Sequence, residues 1–317
     1  MKYGLLKYTT TNIGDEIQSI AARQYLPQVD VYLERDYLDQ IESEEKIKLI
    51  MNGWFSHEPQ NWPPSPDIDP LFISFHISDS AKESFTSAES IEYLSRHEPI
   101  GCRDCTTRDL LLENGVEAYF SGCLTTTLTN KYSNQSSNKI YIVDLDEKSF
   151  NSLSKNIRKQ AESLTHNYPV TTRHTVSRSI KYTLGNLVTY AEKLGITHLY
   201  NSIWNIIDQS SKSKAVDSKI KFQRAQEYLD KYAQAELVIT RRLHAALPCV
   251  AFGTPVILVH ENPNDPRFNG LKKYLNIYSI DDFCQMNSTE ILSHQNNPGD
   301  VTEITKRMEK TIEEFIN

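Results

Sequence analysis

The 317 residues exceed one ordinary hydrophobic core and fit two α/β domains of roughly 130–170 residues each. With 39% hydrophobic and 24% charged residues, the composition is that of a folded chain, not a disordered one. The 34 basic and 41 acidic side chains leave a formal charge of −7, which argues against nucleic acid as a partner yet permits a local cationic pocket for a small anion.

Residues 1–8 lack the apolar stretch of a signal peptide, and no run of about 18 apolar residues spans a membrane. The expectation is a cytoplasmic protein with reduced cysteines. Cys102 and Cys105 form a Cys-x-x-Cys, but no second pair follows at zinc spacing, so they read as two semi-buried thiols. No His-x-x-x-His spacing and no phosphate-binding glycine loop occurs, and no metal site is expected.

In chain order, Gly4–Leu6 reads as a strand and Ile17–Tyr25 as a helix. Val29–Leu33, Ile47–Met51, Leu71–Ile77 and Ile100–Cys102 read as further strands. Thr106–Glu113 is a helix stopped by Asn114-Gly115. The polar run Asn130–Asn138 has no periodicity and reads as a linker. Ile140–Leu145 restarts the pattern, with later strands at His198–Tyr200, Leu237–Thr240 and Pro255–Val259. Phe222, Ala225, Leu229 and Tyr232 share one face of a helix, and residues 301–317 form a last amphipathic one.

Alternating strands and helices predict an α/β fold whose mainly parallel sheets are covered on both faces. The expected architecture is two Rossmann-like domains facing a cleft, as in GT-B proteins. Their expected boundaries are 1–130, a linker at 131–138, and 139–300, with helix 301–317 packing back onto the first domain. Ligands of such sheets sit beyond the strand carboxyl ends.

The sharpest segment runs from Ala235 to Ile257. A strand enters Thr240, a candidate helix cap, and Arg241, Arg242 and His244 follow at the mouth of the next helix. Main-chain N–H groups and the helix dipole favour an anion there, and guanidinium groups add a forked grip on phosphate or carboxylate.

This segment resembles the polysaccharide pyruvyl transferase family through Thr240, Arg242, Leu243, His244, Ala245, Pro248, Gly253 and Pro255. Arg241 stands where relatives commonly carry a small residue. Asn12-Ile-Gly14-Asp15 is similar to the family's opening loop, and Arg103-Asp104 to its Arg-Asp element. Asn264, Asp265 and Arg267 lie in a loop seen in some relatives. Asn52-Gly53-Trp54 follows a strand and offers a surface for a sugar. His76 and His166 are less informative and read individually as structural.

The resemblance implies transfer of pyruvate from phosphoenolpyruvate onto two hydroxyls of a sugar in a polysaccharide or its precursor. It implies His244 as general acid and Asp15 as base. Arg242, Arg241, Arg103, Asn264 and Arg267 would bind the donor, and Asn12, Gly14, Asn52 and Trp54 the acceptor, with no cofactor. The second domain would carry the donor and the first the acceptor. A lipid-linked acceptor would bring peripheral membrane contact. Two other readings stay open at this point: a GT-B glycosyltransferase using a nucleotide-sugar, and a non-catalytic sugar- or anion-binding protein. The oligomeric state is not legible.

Overall fold

The computed structural model describes residues 1–55, 57–129, 137–168, 218–294 and 297–317. The expected strand at His198–Tyr200 and most of the expected linker lie outside the described residues.

Two parallel sheets carry the fold. The first has the order β2-β1-β3-β4-β5-β6, from β1 Lys2–Lys7, β2 Val31–Glu34, β3 Ile47–Trp54, β4 Ile68–His76, β5 Ile100–Cys102 and β6 Ala118–Phe120. The second has the order β11-β10-β9-β7-β8, from β7 Ile140–Val143, β8 Glu162–Leu164, β9 Leu237–Thr240, β10 Val256–His260 and β11 Asn276–Ser279. Five helices shape the site and its surroundings: α1 Gly14–Arg23, α2 Cys105–Glu113, α3 Ser218–Ala233, α4 Leu243–Phe252 and α5 Thr302–Ile316.

Side chains alternate across each strand, and the alternation sorts the core into three layers. Leu6, Leu49, Met51 and Phe72 face outward from the first sheet into one cluster. Ile140, Ile142, Ile239, Ile257 and Val259 face outward from the second into another. Their neighbours Leu5, Ile50, Ile73, Tyr141, Val143, Val238, Val256 and Leu258 join a single central cluster with α1, α3, α4 and α5. The two sheets therefore share one apolar cluster. Period-two patterning shows which residues share a face; it does not show what covers that face.

Helix α1 ties the halves together by packing on both α3 and α4. It begins at Gly14, three residues earlier than its apolar pattern suggests, because Asn12 Oδ1 accepts the Gly14 amide at 3.1 Å. Within the central cluster, Lys221 of α3 places its Nζ 2.5 Å from Glu16 Oε1 of α1, both side chains fully buried. The same Nζ donates to the carbonyls of Tyr8 at 3.0 Å and Thr10 at 2.6 Å. Met308, Ile312 and Ile316 of α5 enter the central cluster, and Lys48 of β3 donates to the Phe315 carbonyl.

Candidate active site

On the second sheet, Thr240 closes β9 and its Oγ1 accepts the Arg242 amide at 2.9 Å. Arg242, not Thr240, occupies the cap position of α4, with an extended backbone (φ −101°, ψ 120°). Its side chain, one-third exposed, donates through Nε to Asp144 Oδ2 at 2.6 Å and through a terminal nitrogen to Asn167 Oδ1 at 3.1 Å. Asp144 directly follows β7, the neighbour of β9 in the sheet. Burial pushes its carboxyl up, but hydrogen bonds from Thr165 and Arg242 overcome this and hold it below the usual carboxylate range. Arg241 turns the other way and donates to the exposed Glu261 at 2.6 Å.

His244 sits in the first turn of α4. Its Nε2 is buried with no hydrogen-bond partner among the described residues. Burial, and then Arg103, His166, His76 and Arg267, hold the ring well below the ordinary histidine range, so it is neutral. The opening of α1 lies against it: a Cβ added to Gly14 would stand 3.2 Å from His244 Cβ and 3.1 Å from Asn12 Oδ1. Gly14 thus serves close approach.

From the first sheet, Asp15 enters at the start of α1, almost fully buried. Its Oδ2 accepts Thr10 Oγ1 at 2.7 Å and lies 3.5 Å from an Arg35 nitrogen. Arg103 follows β5, buried; its Nε makes no hydrogen bond among the described residues and lies 3.7 Å from Asp104 Oδ2. Burial is the main cause lowering its guanidinium pKa. Asp104 caps α2 by accepting the Thr107 amide at 2.9 Å. It also contacts His76 Nδ1 at 2.7 Å, at the end of β4.

These elements enclose a cavity of about 280 Å³ at the carboxyl ends of both sheets. Asp15, Trp54, His76 and Arg103 line it from the first half; His166, Arg242, His244 and Arg267 line it from the second, with Asn12 and Arg241 also on the wall. Arg103, Arg241, Arg242 and Arg267 bring four guanidinium groups to that wall, each ion-paired with a carboxylate outside it, and among the described residues Asp15 is the only carboxylate lining it. In a chain of net charge −7 this wall is locally rich in cationic side chains.

The family model of polysaccharide pyruvyl transferases matches residues 12–262, most of the chain. The chain belongs to that family. It is therefore a transferase, and the matched span holds every cavity residue named above except Arg267. No curated protein sequence matches it. Among solved structures it is similar to an uncharacterized protein from Klebsiella pneumoniae subsp. pneumoniae NTUH-K2044, with 11% identity and a TM-score of 0.45 over 88% of this chain and 92% of that one. It is similar also to a UDP-N-acetylglucosamine 2-epimerase, with 9% identity and a TM-score of 0.46 over 98% of this chain and 95% of that one. Neither likeness bears on the chemistry.

The sequence motifs of this pyruvyl transferase converge unevenly on the cavity. Asn12, Asp15, Trp54, Arg103, Arg241, Arg242, His244 and Arg267 line it. Asn52 does not: it is buried and donates to the Gln18 carbonyl at 2.9 Å. Asn264 accepts Lys272 Nζ at 2.7 Å, so its side chain folds the loop on itself. In the same loop Arg267 forks onto Asp265 and reaches His260 Nε2 at 2.8 Å while still bordering the cavity. Sequence reasoning missed Arg35, Gln18, Asp144 and Asn167 and undervalued His76 and His166. Asp144 had a usable signal, since it ends an apolar strand in Asp144-Leu145-Asp146. Among the described residues, no three His, Cys, Asp or Glu side chains are grouped to hold a metal ion, and no helix is long and apolar enough to cross a membrane.

The buried histidines make stability of the transferase acid-sensitive. Burial, with Arg103 next, lowers His76 to about 4. Unfolded, the ring takes its proton near the ordinary value of about 6.5. A depressed folded pKa stabilises above the unfolded value, and that stability is lost as pH falls from about 6.5 through about 4. We expect the unfolding free energy from urea titration to fall by about 1–2 kcal/mol less between pH 7 and pH 5 in His76→Asn than in the parent. Parallel pH curves for the two proteins would contradict this.

Proposed function

We propose that this transferase carries pyruvate from phosphoenolpyruvate to two hydroxyls of one sugar, forming a cyclic ketal on a polysaccharide or its precursor. The observation that carries the reading is the group Arg103, Arg241, Arg242 and Arg267 around one cavity of about 280 Å³. That is slightly below the range of roughly 300–1,000 Å³ usual for drug-sized ligands, and it suits a compact trianion better than a nucleotide-sugar. Arginine forks match both the phosphate and the carboxylate of such a donor.

The second half supplies most of the donor side and the first half the acceptor side, through Asn12, Asp15 and Trp54. In the free protein burial, and then the cations around it, hold the His244 ring well below the ordinary histidine range. The donor's negative charge offsets the cationic part of that shift and favours the protonated ring. His244 then protonates the donor methylene as one sugar oxygen bonds to the adjacent carbon, with Asp15 accepting that hydroxyl's proton. The second hydroxyl displaces phosphate from the same carbon and its proton leaves with the phosphate, which closes the ketal.

Thermal-shift measurements with millimolar ligands test the reading, because a ligand that binds the folded state raises apparent stability. Phosphoenolpyruvate is expected to protect the protein and UDP-sugars are not; the reverse pattern would replace this function with glycosyl transfer. Arg242→Ala should weaken phosphoenolpyruvate binding roughly tenfold to a hundredfold, the range for hydrogen bonds to a charged group. Arg242→Lys should recover little of it, since a lysine lacks the fork. Unchanged donor affinity in a folded Arg242→Ala protein would remove Arg242 from the donor site.

A further inference from the structure

A buried cation stands behind the acceptor side of the cavity. Arg35 follows β2, and its side chain is 1% exposed. Nε and one terminal nitrogen fork onto Asp36 at 2.9 and 3.1 Å. The other terminal nitrogen reaches Asp15 Oδ2 at 3.5 Å. The guanidinium carbon lies 5.0 Å from the Tyr8 ring centroid and 5.7 Å from that of Trp54, both within cation–π range. Arg35 is absent from the cavity wall, yet two of the groups it touches, Asp15 and Trp54, form part of that wall.

A cation present only for charge balance would be satisfied by Asp36, which already takes the whole fork. The additional contacts go to a second carboxylate and to two rings, and of these Asp15 and Trp54 belong to the acceptor side. Asp15 Oδ2 is occupied by Thr10 and Arg35, whereas among the described residues Oδ1 meets only Gln18 Nε2, at 3.4 Å. Oδ1 is therefore the oxygen with spare accepting capacity.

We propose that Arg35 is a positioning residue for ketal formation: it holds Asp15 through Oδ2 and seats the Trp54 ring, so that Oδ1 and the indole meet the sugar in one fixed arrangement. This rests on the function proposed above. A ketal needs two hydroxyls of one sugar to reach the same carbon in succession, and a misplacement of about 1 Å costs as much as 10²-fold in rate. A lysine keeps the charge but cannot hold Asp36 and Asp15 together.

A double-mutant cycle tests the proposal. Arg35→Met, Asp15→Asn and the combined variant are compared for thermal protection by phosphoenolpyruvate and for phosphate release with a panel of methyl hexopyranosides as acceptors. Arg35→Met should keep donor protection and lose about 10- to 100-fold in kcat. The combined variant should be no slower than Asp15→Asn alone, because residues acting as one unit are not additive. Additive losses, or lost donor protection in a folded Arg35→Met protein, would overturn the positioning role. Should Arg35→Met fail to fold, Arg35→Lys takes its place in the cycle with the same expectation. A parent that transfers nothing from phosphoenolpyruvate removes the transferase reading and this proposal together, whereas additivity in a working parent removes this proposal alone.

Discussion

His244→Asn is expected to lower turnover by about 10²–10⁴-fold while leaving phosphoenolpyruvate affinity within a few-fold of the parent. The range is that of a positioned acid or base, and the split between rate and binding follows from the geometry. The arginines, not the histidine, carry the charge that attracts the donor. Because His244 Nε2 has no hydrogen-bond partner among the described residues, shortening the side chain to an amide breaks no described bond at that atom, and the fold should tolerate it. Single-turnover phosphate release, read beside the thermal shift with phosphoenolpyruvate, separates the two effects. A folded His244→Asn protein that turns over like the parent would take His244 out of the mechanism. Loss of donor affinity with turnover of the bound complex unchanged would make it a binding residue instead.

Lys221→Met should be the most destabilising single substitution, by about 3–5 kcal/mol, the cost of leaving one member of a buried ion pair alone. Lys221 faces Glu16 at 2.5 Å with both side chains fully buried, and it also holds two carbonyls of the loop that leads to Asn12 and Asp15. Even with the lysine present, burial raises the Glu16 carboxyl to about 7. Without it, the carboxyl rises further and takes up a proton. A folded pKa raised above the unfolded value favours the folded state at low pH and loses that advantage as pH rises. The deficit of Lys221→Met should therefore be largest near pH 8 and shrink toward pH 5. Urea unfolding of the variant and the parent at both pH values measures it, and Glu16→Gln added to Lys221→Met should recover much of the loss. Equal stability of variant and parent at pH 8 would mean that the pair is not a closed, dry contact.

The parts of the molecule legible in the sequence are those encoded locally. The run Leu237–Thr240 is apolar at three successive positions and buried throughout, as a parallel strand covered on both faces must be. The cations after it mark a helix mouth without reference to any other segment. Arg35 shows the opposite case. Beside Asp36 it reads as an ordinary surface ion pair, and only the pairing of β2 with β1 brings it to Asp15, twenty positions away in the chain. Asp144 likewise becomes a partner of Arg242 through the adjacency of β7 and β9. Strands β6, β8 and β11, of three or four residues without a fully buried position, carry too little periodicity to be read. The loop after β10 was singled out as a unit, yet its side chains divide: Arg267 faces the cavity and Asn264 turns to Lys272.

The central core common to both sheets bears on how substrates arrive. Swinging the two halves apart would strip apolar contacts between α1, α3 and α4 and expose the Glu16–Lys221 pair, at about 25 cal/mol for each Å² of apolar surface uncovered. Entry by wide hinge opening is thus disfavoured by the same contacts that hold the fold. Traffic falls instead to side chains at the rim, such as the half-exposed Arg267, whose rearrangements take picoseconds to nanoseconds, not the microseconds to milliseconds of domain closure. Such a site is assembled before its ligands come. Its encounter rate should then follow ionic strength, as expected for an anion steered toward fixed positive charge, with little lag from conformational gating.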